Sequence, residues 1–194
     1  FDLAPLLLGK EGAAGREADG GGRATPGFRE LAFAAREAPP DGQAALLYVD
    51  PGAVDAPLLV ALHGRGEAGR GLWQGARGYR DDYHVERMEH RLRAGQLTPA
   101  DLGGLSSAAR LAELNASLAA APYRGVALLT PYTPALGDRS VAGARGFAAF
   151  VTDQLLPRAA GLLGREVTRQ QTAIDGISMG GRLARALAIL APER

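Results

Sequence analysis

Gly176-Ile177-Ser178-Met179-Gly180 sets one serine between two glycines in the spacing G-x-S-x-G, and Gly181 follows at once. The chemistry this suits is attack by a serine hydroxyl on an acyl carbon. Where a chain turns from strand to helix within about one residue, the serine takes a strained backbone conformation and side chains at the flanking positions would collide. Ser178 would then stand at the top of a sheet with Oγ exposed. The first helical N–H groups, that of Met179 included, would point at the same spot and could hold an oxyanion. Gly181 lets the helix lie close to the sheet. Glycine is abundant here (27 of 194 residues), so the bare pattern says little. Its weight comes from the apolar run 172–174 before it and the apolar stripe Leu183, Leu187 and Leu190 after it.

A second stretch could complete the chemistry. The run 57–62 (PLLVAL) ends in His63-Gly64-Arg65-Gly66. A loop in that position can donate a second backbone N–H to an oxyanion, and Arg65 or Gly66 would supply it. His63 precedes the loop and reads as a structural hydrogen-bonding residue rather than a catalytic base. The same segment, Gly64 to Gly69, is also a literal G-x-G-x-x-G, which raises dinucleotide binding as a weaker alternative. Residues 70–75 read as loop rather than as a helix opened by those glycines, and Asp81 and Asp82 lie in a polar segment, not at a strand end. A phosphate-binding P-loop is excluded, because Lys10 is the only lysine and neither serine nor threonine follows it.

Asp81, Asp82, His84, Glu86, Glu89 and His90 could converge on a metal. Their alternation with Arg87, Arg91 and Arg93 reads instead as a solvated helix face with ion pairs, so no metal ligand is assigned. Trp73, Tyr79 and Tyr83 either line an acyl pocket or cover the core.

The elements that must position these residues can be read in order. Residues 1–27 carry seven glycines from Gly9 onward and read as a flexible lead-in. From Phe28, alternation around Leu31 and Phe33 gives a half-buried strand. A turn at Pro39-Pro40-Asp41-Gly42 and a strand over 44–49 complete an antiparallel hairpin. The continuous apolar runs 57–62, 126–129 and 172–174 read as central strands of a parallel sheet. Helices are expected over about 84–94, 106–120 and 147–155, the last ended or kinked by Pro157, and over Met179–Leu190. Segment 70–123 reads as an insertion. The class is α/β: a three-layer, mostly parallel sheet with an N-terminal antiparallel hairpin.

Composition narrows the function. With 22 Lys+Arg against 21 Asp+Glu, a basic surface for nucleic acid is not expected. Hydrophobic residues at 46% suit a globular domain, and no run is long enough for a membrane span. The absence of cysteine removes disulfides and thiolate catalysis.

LLVALHGRGE, VALLTPYTP, FVTDQLLP and TAIDGISMGG together resemble the α/β-hydrolase superfamily, over about Phe28 to the C-terminus. The resemblance is strongest to its putative esterases, of the esterase D-like, polyhydroxybutyrate depolymerase-like and carboxylesterase/phospholipase-like kinds. It implies a serine esterase acting on a small-molecule ester, with a Ser–Asp/Glu–His triad and no cofactor. The triad order in that family is serine, acid, histidine. After Ser178 only MGGRLARALAILAPER follows, with no Asp and no His, while His63, His84 and His90 all lie upstream. Residues 28–194 therefore read as the N-terminal part of such a domain. The C-terminal strands are missing, and the acid and the histidine are expected beyond Arg194. An opening on Phe1 likewise reads as a processed product or a piece of a longer chain. The strand at 172–174 would then be an exposed edge, open to self-association. A non-catalytic relative that binds a ligand or partner is the alternative.

Overall fold

A computed structural model describes residues 27–38, 41–50, 55–136 and 140–192. The lead-in expected over 1–27 thus falls almost wholly outside the described residues, as do Pro39 and Pro40 of the hairpin turn. Five strands, β1 (Gly27–Phe33), β2 (Gln43–Val49), β3 (Leu58–Leu62), β4 (Ala127–Pro131) and β5 (Thr172–Gly176), form one mixed sheet in the order β1-β2-β4-β3-β5. The hairpin β1–β2 is antiparallel, with Leu31 opposite Ala45, and β2 runs antiparallel to β4. Strand β3 is parallel to both β4 and β5. Only β2 therefore runs against the other four.

The apolar runs of β3 and β4 are buried almost throughout, on both faces, as their continuity requires. Along β2, Ala45, Leu47 and Val49 enter one core while Ala44, Leu46 and Tyr48 enter packing on the opposite face. The larger core is closed by α6 (Val141–Phe150), α7 (Leu156–Leu163) and α8 (Met179–Leu190), through Phe147, Phe150, Leu155, Leu163, Leu183 and Leu187. On the other face lie α2 (Leu72–Ala76), α3 (Gly78–Asp81) and α4 (Val85–Arg93), through Leu72, Trp73, Tyr79 and Val85. Helices thus cover both faces of the sheet. Among the described residues β5 is an edge rather than a central strand, and its residues are only partly covered.

Three local expectations are corrected. Residues 70–75 are not all loop, and the glycines do open a helix: α1 (Arg65–Ala68) starts directly after Gly64, and α2 follows Gly71. Helices of four and five residues are too short to show an apolar period. Pro157 does not end its helix. The chain runs from α6 through a π-helical turn at Val151–Leu155 into α7, with Pro157 in the first turn of α7. A proline needs no N–H partner there, and the wide turn before it relieves the clash of its ring with the preceding carbonyls. The insertion holds α4 and α5 (Ala108–Ala120) at the expected places, but α4 is not simply a solvated face, since Glu89 is buried.

Candidate active site

Strand β5 ends at Gly176 and α8 begins at Met179, so Ile177 and Ser178 make the whole turn. Its backbone stands at φ 55°, ψ −110°. Such a conformation costs a serine roughly 1–3 kcal/mol and persists only where the surroundings enforce it. The surroundings here are backbone. Ile177 N–H donates to the Leu62 carbonyl at 3.0 Å, and Gly180 N–H to the Ile177 carbonyl at 2.8 Å. A Cβ on Gly176 would overlap the Gly180 backbone. One on Gly180 would overlap the Leu62 carbonyl and stand 2.7 Å from the His63 carbonyl oxygen. Both glycines of the motif are therefore required by close approach. Ser178 itself is exposed, caps no helical N–H, and its hydroxyl has no hydrogen-bond partner among the described residues.

The second stretch comes to the same place. Leu62 pairs with Gly176, so β3 and β5 end at one level, and the loop after β3 arrives beside the serine. The point where a Cβ on Gly64 would stand is 3.8 Å from Ser178 Cβ and 3.7 Å from the Ile177 carbonyl oxygen. Gly64 is extended and α1 starts at Arg65. No acceptor among the described residues takes the backbone N–H of Arg65, Gly66 or Met179. These are the orphan donors of two helix starts, available to a negative charge forming between them.

His63 is fully buried and both its ring nitrogens are used. Thr133 N–H donates to Nε2 at 2.8 Å, which leaves the ring proton on Nδ1, 2.9 Å from the Gly64 carbonyl that accepts it. His63 N–H in turn donates to Thr133 Oγ1 at 3.1 Å. The imidazole ties the loop after β3 to the loop after β4 and has no lone pair left for Ser178. Burial lowers its pKa from the ordinary 6.5. His84 opens α4 in the left-handed conformation and His90 is exposed on that helix.

The acidic residues around them form ion pairs, Arg70 with Asp82 and Arg80 with Asp81. Glu89 departs from the expected solvated face: burial raises its carboxyl pKa, the Tyr123 hydroxyl donates to it, and Arg93 lies 4.0 Å away. The dinucleotide alternative gains no acid at a strand end, since the next strand, β4, ends in Thr130–Pro131.

Glu67 is the residue that sequence reading passed over. The Tyr83 hydroxyl donates to its Oε1 at 2.7 Å, and its Oε2 is 3.0 Å from the point where a Gly64 Cβ would stand. Burial by itself would raise the carboxyl. The Tyr83 hydroxyl, the residue's own N–H, His63 and Arg70 outweigh that and hold it below the usual carboxylate range. Its place three residues after Gly64 at a helix start is the signal that could have marked it.

Compared with known proteins, the chain matches no family model, and no curated protein shows significant similarity to it.

Two measurements follow from this geometry. Gly180→Ala should lose about 3 kcal/mol in urea unfolding, since its Cβ meets backbone. Gly161→Ala, on α7 with open space around it, should gain about 0.5–1 kcal/mol. Because the His63 pKa is lower in the folded chain, the unfolded chain binds that proton more readily. The stability from a neutral His63 should therefore be complete above pH 6.5 and fall as pH drops toward the depressed value. In unfolding midpoints taken across that window, His63→Gln should have lost this part of the slope.

Proposed function

We propose that Ser178 is the nucleophile of a serine esterase on an α/β-hydrolase-type fold. The observation that carries this reading is a serine in strained backbone at a strand-to-helix turn, with the loop after β3 packed beside it. Helices on both faces of a sheet in which only β2 is reversed support the same reading. So does the position of the second donor, in the loop between β3 and the first helix.

Oγ of Ser178 attacks the carbonyl carbon of a small-molecule carboxylic ester, and the serine proton passes to a base. The N–H groups of Met179 and of Arg65 or Gly66 hold the oxyanion. Collapse expels the alcohol and leaves an ester on Ser178, which water then cleaves to the acid. His63 does not serve as the base, since its nitrogens are committed to Thr133 and Gly64. The unbonded hydroxyl of Ser178 is what favours the second reading, a non-catalytic protein of the same fold that binds a ligand or partner.

Reaction with a fluorophosphonate separates the two readings. Intact mass should show one addition per chain, mapped to Ser178 and absent in Ser178→Ala. Added imidazole should accelerate it several-fold by standing in for the base. Turnover of a p-nitrophenyl ester without imidazole should stay far below the roughly 10 s⁻¹ of an ordinary enzyme. No addition even with imidazole would leave the binding reading. The edge that β5 forms among the described residues also supports self-association. Light scattering should find a dimer or larger species that Ala173→Lys, at an exposed edge position, shifts toward monomer.

A further inference from the structure

The Glu67 carboxylate and Ser178 approach one another across a gap kept open by Gly64. The point a Cβ on Gly64 would occupy is 3.0 Å from Glu67 Oε2 and 3.8 Å from Ser178 Cβ, so any side chain at 64 would crowd both. Room for the glutamate is made in the same way on its other flank, where a Cβ on Gly78 would come within 2.9 Å of Glu67 Cγ.

The carboxylate is fixed rather than free to swing away. Tyr83 donates to Oε1, and the Tyr83 ring stands edge-on to Tyr79 with centroids 5.1 Å apart and planes at 74°. Tyr79 in turn donates to the Leu62 carbonyl at 3.4 Å, the same carbonyl that holds the turn at Ile177. Arg70 makes no ion pair with Glu67, because its guanidinium is taken by both carboxylate oxygens of Asp82. Among the described residues Glu67 has no ion pair.

A negative charge so near the N–H groups of Met179, Arg65 and Gly66 opposes the negative charge that develops on a carbonyl oxygen there. A positive charge on the substrate, lying beside the carboxylate and the Tyr83 ring that hydrogen-bonds it, removes that opposition and gains attraction from both. We propose that Glu67 is a specificity-determining residue, which with Tyr83 and Tyr79 forms a subsite for the ammonium or other cationic group of an ester presented to Ser178. This rests on the reading of Ser178 as nucleophile. It accounts for the two glycines around Glu67 and for the tyrosine pair, none of which the hydrolytic step itself uses.

The test compares two phosphonofluoridates of equal shape on the full chain, in the same imidazole buffer. One carries a trimethylammonium group and the other a tert-butyl group. Addition to Ser178 is followed by intact mass. The cationic reagent should react about tenfold faster, the size of an exposed ion pair together with a cation–aromatic contact. The advantage should shrink in 0.5 M salt, on the order of what screening of a charge at a surface allows. In Glu67→Gln it should vanish through slower reaction of the cationic reagent, while the neutral one reacts at least as fast as before. Equal rates in the wild-type chain overturn the proposal, and so does an advantage that survives Glu67→Gln. The wild-type ratio and its salt dependence decide the matter even where the variant fails to fold. Addition of neither reagent overturns the nucleophile itself, and this proposal with it.

Discussion

Everything at the candidate site hangs on the backbone contact between the end of β3 and the turn 177–180. The Leu62 carbonyl takes the Ile177 N–H, and Gly180 lies so close to that carbonyl that no side chain fits. This contact stops the chain from relaxing at Ser178, whose conformation costs roughly 1–3 kcal/mol. The cost is offset where α8 buries Leu183 and Leu187, each contributing about 1.5–3 kcal/mol. The strain and the core are thus joined by one helix. The exposed hydroxyl at its start is a consequence of how its far side packs.

Burial divides the charged groups of the fold by role. At the end of the sheet where β3, β4 and β5 finish, the buried imidazole of His63 stays neutral and works as a cross-link between two loops through Thr133. Half-buried Glu67 stays charged there because Tyr83 hydrogen-bonds it. At the opposite end, where Val49 pairs with Ala127, Glu89 is buried with Tyr123 against it, and its pKa moves the other way. Two glutamates separated by the length of a strand therefore differ in charge preference because one lost more water than its hydrogen bonds replaced.

The helices show where local pattern stops being enough. Pro157 marks a break in sequence, yet the helix passes it by widening one turn at Val151–Leu155 and burying Val151 and Leu155 on the way. The tertiary need to cover Phe147, Leu155 and Leu163 with one continuous rod outweighed the local preference to stop. Helix α2 starts after Gly71, whose φ of 95° suits glycine, and packs Leu72, Trp73 and Ala76 on Ala44 and Leu46 of β2, a reason no window of apolar residues contains.

What the sequence determined by itself is the α/β class, the five strands with their order along the chain, the helix from Met179 to Leu190 and the special standing of Ser178. Each is written in contiguous residues: double-sided apolar runs, a 3.6-residue stripe, and glycines at fixed offsets from a serine. The meeting of Gly64 with Ser178, the commitment of both His63 nitrogens to partners 1 and 70 residues away, and the approach of Glu67 were decided only by tertiary structure. Those relations depend on β3 and β5 lying side by side in register, with Leu62 paired to Gly176 114 positions further along the chain, a pairing no local pattern encodes. Burial then settled which of the titratable groups keep their charge, because desolvation is a property of the packed neighbours and not of the residue type.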